Sequence, residues 1–210
     1  IGSVCNLGDV LPTNDDTNSD KLLYHPRFHI QPPTRNPRPD GSYAPEGMND
    51  INSVFQAPNK LFHVMYQDHI NCPDDINQAN QTFGHVVSSD LITWTHLPPA
   101  LIDVPSFDGT LGPWDGVGFN CYDTPTIIYN SHFQGPDFNQ QTKTGARPTS
   151  PDWETTDPNL VNWTHFTLNP IDAFIGASTL NSPYLNDVDN NYYVSAVDST
   201  TGICNLWRTT

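Results

Sequence analysis

Gly47-Met48-Asn49-Asp50-Ile51-Asn52-Ser53-Val54-Phe55, followed by Leu61-Phe62-His63-Val64-Met65-Tyr66-Gln67, is the stretch that decides how the chain folds. Gln56-Ala57-Pro58-Asn59-Lys60 carries the Pro and Asn of a turn, so the two runs read as a hairpin. In the second run Phe62, Val64 and Tyr66 alternate with His63, Met65 and Gln67, giving the sheet two different faces. Asn49-Asp50 stands where a loop enters a strand. A carboxylate there either projects into a cavity to act on a substrate or caps the turn.

Downstream, Thr82–Ser88 and a run around Thr93–Leu97 add two further strands to Asn52–Gln56 and Leu61–Gln67. Four antiparallel strands in succession make one blade of a propeller. An internal repeat supports this: Asp90-Leu91-Ile92-Thr93-Trp94-Thr95-His96-Leu97 recurs 69 residues later as Asn159-Leu160-Val161-Asn162-Trp163-Thr164-His165-Phe166. Ile102-Asp103 recurs as Ile171-Asp172 at the same offset. A fixed offset is the mark of stacked units, and blades of this length, longer than the ~40–45 residues of common propellers, give about three in the chain. A last pair of strands, Asn191–Val197 and Ile203–Arg208, has no closing strand after it, so the sequence is expected to be the first part of a longer propeller.

Composition agrees. The chain has 210 residues with 20 Pro and 13 Gly, which suits short strands joined by irregular loops. No sustained helical period is present, and no apolar run approaches the length of a membrane span. With 23 acidic against 8 basic residues the net charge is −15, which repels nucleic acid and anionic membranes; neither is expected as a partner. Residues 1–23, polar and rich in Asn and Asp, are expected to form a flexible leader, with the propeller over 24–210. The chain opens on Ile1, as a mature secreted form or an excised fragment would. Asn80-Gln81-Thr82 and Asn162-Trp163-Thr164 are glycosylation sequons, so a secreted glycoprotein is expected. Cys5, Cys72, Cys121 and Cys204 lack metal-binding spacing and form one or two disulfides or remain free thiols. The histidines show no zinc spacing, and Asp74-Asp75 and Asp187-x-Asp189 make no calcium loop, so neither a metal nor another cofactor is expected.

Taken together, Arg27-Phe28-His29-Ile30-Gln31-Pro32-Pro33, Gly47-Met48-Asn49-Asp50, the strand ending in Gln67, and Phe83-Gly84-His85-Val86-Val87-Ser88-Ser89-Asp90-Leu91-Ile92-Thr93-Trp94 resemble glycoside hydrolase family 32. That family holds the invertases, levanases, inulinases and fructosyltransferases. Its W-M-N-D-P-N-G, Y-Q and W-G-H-A-x-S-x-D-L-x-x-W patterns run in this order, and its H-L-P-x-A-L is matched by His96-Leu97-Pro98-Pro99-Ala100-Leu101. The match is continuous over residues 27–103 and thins beyond, where Trp114-Asp115-Gly116-Val117-Gly118-Phe119 resembles the approach to the family's F-S-G-S motif. The resemblance implies an all-β fold, a five-bladed β-propeller of which roughly three blades are present here. It also implies retaining cleavage of β-fructofuranosyl bonds in sucrose or fructans. Asp50 matches the nucleophile. Asn49, Gln67, Phe83, Phe119 and Ser182 match positions lining the sugar site, where amides and aromatic rings hold hydroxyls and a sugar face.

The chain departs from the family pattern at several points. N-D-P-N-G is Asn49-Asp50-Ile51-Asn52-Ser53, and the F-S-G-S position falls on Asn120-Cys121-Tyr122. The family's R-D-P, whose Asp supports the transition state, falls on Asn181-Ser182-Pro183. A retaining glycosidase needs a second carboxyl group about 5–5.5 Å from the nucleophile. The family takes it from a Glu-Cys pair, and neither Glu46 nor Glu154 is followed by Cys. Two functions therefore stay open: a β-fructofuranosidase whose acid lies after Thr210, and a related propeller that binds carbohydrate without cutting it.

Overall fold

Four antiparallel strands follow one another from Gly47 in the computed structural model of the chain: β1 (Gly47–Gln56), β2 (Phe62–His69), β3 (Gln81–Ser88) and β4 (Thr95–Leu101). They lie side by side in sequence order, as one blade. A second sheet repeats the arrangement with β5 (Pro113–Cys121), β6 (Thr124–His132), β7 (Gln141–Pro148) and β8 (Trp163–His165). In the third, β9 (Ala177–Leu180) and β10 (Tyr184–Asn186) both pair with β11 (Asn191–Asp198), which in turn pairs with β12 (Cys204–Arg208). The fold is all-β and of propeller type, with three blades among the described residues. These are Ile30, 47–69, 81–102, 112–132, 141–167, 177–180, 184–186, 188–198 and 203–208. The expected leader, Glu46, Asp74-Asp75, Asn80, Cys5, Cys72, the Ile102-Asp103/Ile171-Asp172 match and Ser182 fall wholly or partly outside them.

The two-faced reading of β2 holds. Met65 joins Phe55, Phe83, Leu101, Ile127, Tyr129, Trp153 and Leu160 in the core between the first two blades. Val64 and Tyr66 pack on the opposite face with Val86, Ile30, Met48 and Trp94. Gly84 is required there, because a β-carbon on it would stand 2.3 Å from the Tyr66 ring. His63 and His85, both fully buried, share a 3.0 Å hydrogen bond between Nδ1 of the first and Nε2 of the second. Burial pushes their pKa values down to about 4 and about 3, so both imidazoles are neutral at pH 7.

The 69-residue repeat marks the same point in two blades. Thr95 and His96 on β4 pair with Val87 and Val86, as Thr164 and His165 on β8 pair with Arg147 and Ala146. Just before each strand the backbone turns through the left-handed region, at Leu91 (φ 62°) and Leu160 (φ 55°). A carboxylate holds each turn: Asp90 Oδ1 accepts from the Ile92 and Thr93 amides, and the Asp157 carboxylate accepts from those of Val161 and Asn162. The second blade adds α1 (Trp153–Thr156) before its turn, a helix too short to leave a period in the sequence.

The seam between the first two blades is formed by β1 and β5. Asn52 Nδ2 donates to the Trp114 carbonyl at 3.3 Å and Asn120 Nδ2 to the Gln56 carbonyl at 2.8 Å, so the strands run in the same direction. They approach closely at Gly118, where a β-carbon would lie 2.0 Å from Ser53 Oγ. The next seam is aromatic. Phe119 packs on Tyr192 with ring centroids 5.6 Å apart, and the Tyr192 hydroxyl donates to the Asn120 carbonyl while accepting from the Tyr122 amide.

Candidate active site

Asn49 and Asp50 lie inside β1, which begins five residues earlier than the expected Asn52. The pairing explains what the strand does there. Met48 is opposite Asp68 and Ile51 opposite Tyr66, so one extra residue is held in a bulge that contains Asn49 and Asp50. A bulge bends the strand and re-aims its side chains. β5 carries the same device: Pro113 is opposite Ser131 and Gly116 opposite Tyr129, with Trp114 and Asp115 in the bulge. Asp50 and Asp115 thus occupy equivalent positions at the same end of two neighbouring strands.

Gln67 joins them. Its Oε1 accepts from Asn49 Nδ2 at 3.2 Å and its Nε2 donates to Asp115 Oδ1 at 2.6 Å. Gln67 itself is buried, whereas Asn49 and Asp50 are exposed. The Asp115 carboxyl is held above the ordinary carboxylate range, first by burial and then by the charge of Asp50. The Gln67 hydrogen bond and Lys143 pull the other way. Lys143, on β7, is fully buried; burial lowers its pKa to about 8, with the Asp115 charge opposing. Two carboxylates, two amides and one buried ammonium are therefore gathered where the first two blades meet.

The sugar-site residues suggested by the sequence are distributed unevenly. Asn49, Asp50 and Gln67 come together. Phe83 is fully buried in the core, its ring 5.5 Å from Tyr129 and its tip within 3.0 Å of where a β-carbon on Gly116 would stand. It packs under the β5 bulge that carries Asp115. Phe119 lies four residues beyond Asp115 on β5 and belongs to the seam with Tyr192. Ser182 lies outside the described residues. Asn120-Cys121 ends β5, and Tyr122 (φ 46°) and Asp123 (φ 64°) turn the chain into β6. Cys121 and Cys204 carry free thiols.

Asp115 and Lys143 were missed. Trp114-Asp115-Gly116 reads as the run-up to a motif, and only strand pairing shows Asp115 level with Asp50. Lys143, in Gln141-Thr142-Lys143-Thr144, resembles any solvated lysine of a polar strand.

Comparison with known proteins identifies the family. Residues 44–210 match the family model described as the N-terminal domain of glycosyl hydrolases family 32. A β-fructofuranosidase insoluble isoenzyme of Arabidopsis thaliana is 29% identical over 179 residues, covering 83% of this chain and 26% of its own length. A fructan 1-exohydrolase of Aegilops speltoides is 32% identical over 166 residues, covering 76% and 23%. Among solved structures, a β-fructofuranosidase of Schwanniomyces occidentalis complexed with fructosyl-erythritol superimposes with a TM-score of 0.64 at 18% identity, over 88% of this chain and 34% of that one. A β-fructofuranosidase of Bombyx mori gives 0.59 at 25% identity, over 91% and 37%. The chain spans about a quarter of the length of the curated relatives it matches. It belongs to glycosyl hydrolase family 32, whose N-terminal domain it carries over residues 44–210.

Proposed function

We propose that this domain supplies the fructose-binding half of a site that cleaves β-fructofuranosyl bonds in sucrose or fructans, with Asp50 as nucleophile. The observation that carries the reading is the Asn49–Gln67–Asp115 hydrogen-bond chain beside Asp50, in a chain whose relatives are β-fructofuranosidases and fructan exohydrolases. The Asp50 carboxylate attacks the anomeric carbon of the fructosyl unit as the glycosidic C–O bond breaks, and water later hydrolyses the fructosyl ester with retention. Asn49 and Gln67 hold sugar hydroxyls. The departing oxygen needs a proton, and Glu154 is the one glutamate among the described residues. Glu154 is exposed on α1, between β7 and β8. In this reading the acid is a glutamate outside the described residues.

Work on carbohydrate outside the cell fits the exposed side chain of Asn162, which begins the second sequon, and the acidic surface. The test is to titrate the 210-residue chain with 1-kestose and with fructose, following the Asn49 and Gln67 side-chain amides by NMR. Saturable shifts that weaken in Asn49→Ala support the reading. Shifts confined to residues remote from β1, β2 and β5, or none at all, overturn it.

A further inference from the structure

The amide chain has a polarity, and a single carboxyl group sets it. An ionised carboxylate only accepts hydrogen bonds, so Asp115 draws the NH₂ of Gln67 toward itself, as the 2.6 Å contact shows. That leaves Gln67 Oε1 for Asn49 and turns the Asn49 NH₂ inward. Asn49 then keeps its Oδ1 and one N–H for a ligand. A protonated Asp115 can donate instead. Both amides would then turn over, and Asn49 would direct its carbonyl inward and its NH₂ outward.

We propose that Asp115 is the positioning residue of the site, whose ionisation fixes the Gln67 and Asn49 amides in the orientation that binds a fructosyl hydroxyl beside Asp50. This rests on the reading of the site as fructose-binding and deepens it. Three features support it independently of that reading. Asp115 occupies the bulge equivalent to that of Asp50, so the strand aims both side chains at one place. The charges facing it from neighbouring strands are Asp50 on β1 and Lys143 on β7, and they oppose each other. Lys143 is fully buried, and it favours the ionised form of Asp115 from the side away from solvent. Asp50 and burial push the other way, so Asp115 takes up its proton at a higher pH than an ordinary aspartate.

The experiment is a pH titration of the ligand-free 210-residue chain by NMR, from neutral to acid, observing the Asp115 carboxyl carbon with the Gln67 and Asn49 NH₂ groups. The expected result is one shared midpoint, with the amide shifts lost in Asp115→Asn and retained in Asp115→Glu. Amide resonances that ignore the titration of Asp115 overturn the proposal, and wild-type protein alone is enough to see this. In a second arm fructose is the probe: affinity should fall about tenfold, the scale of one charge-assisted hydrogen bond, as pH drops through that midpoint. Unchanged fructose affinity across the midpoint also overturns the proposal. If the amides turn with Asp115 but fructose binds at no pH, the positioning role stands and the substrate reading falls.

Discussion

Asp50 and Asp115 sit in matching bulges of two adjacent strands and are bridged by one glutamine side chain, Gln67, hydrogen-bonded to Asp115 and to the neighbour of Asp50. The first two blades thus build the candidate site by repetition, because β5 repeats the bulge of β1.

The buried histidine pair predicts loss of stability in acid. His63 and His85 have folded pKa values lowered to about 4 and about 3 from 6.5, so the unfolded chain binds more protons between those limits. Stability contributed by the neutral pair is complete above pH 6.5 and is lost as pH falls toward 3, by on the order of a few kcal/mol. Urea unfolding at a series of pH values measures it. Replacing both rings, His63→Phe with His85→Leu, should flatten the slope in this window.

The two left-handed leucines should respond oppositely to the same change. Leu91 is 51% exposed and Leu160 is fully buried, while both hold positive φ. Leu91→Gly relieves the backbone at little cost in packing and should leave stability unchanged or raise it by up to about 1 kcal/mol. Leu160→Gly empties part of the core between blades and should lower it by about 2–5 kcal/mol. Thermal or urea unfolding separates the two outcomes.

At the seam, Gly118→Ala places a methyl 2.0 Å from Ser53 Oγ and 2.9 Å from the Phe55 ring. A loss of about 1–3 kcal/mol is expected. Ser53 Oγ is buried without a hydrogen-bond partner, so Ser53→Ala alone should be neutral or stabilising, and it should recover part of the Gly118→Ala loss. Additive effects in the double variant would contradict the close approach of β1 and β5.

Much of this was legible in sequence. The alternation of Phe62–Gln67 and the in-register Trp94/Trp163 repeat each follow from a period that side-chain burial enforces, so strands, faces and blade repeat could be read directly. Of the candidate site, sequence alone picked out the parts that consecutive residues make, at Asn49-Asp50 and at the end of β2. Asp115 escaped because its role depends on a bulge, which is a property of pairing between strands and leaves no local pattern. The burial of Phe83 was not legible either: an aromatic beside a polar strand end suits a sugar face and a core equally well, and only packing shows it buried.

Trapping the covalent intermediate tests the nucleophile most directly. A fructofuranosyl fluoride has a leaving group that departs without needing a proton, so the trapping step does not depend on a general acid. Incubated with the 210-residue chain, it should add one fructosyl unit in mass, located on Asp50 by peptide mapping and absent in Asp50→Asn. A label on another carboxylate, or one that survives Asp50→Asn, would contradict the assignment.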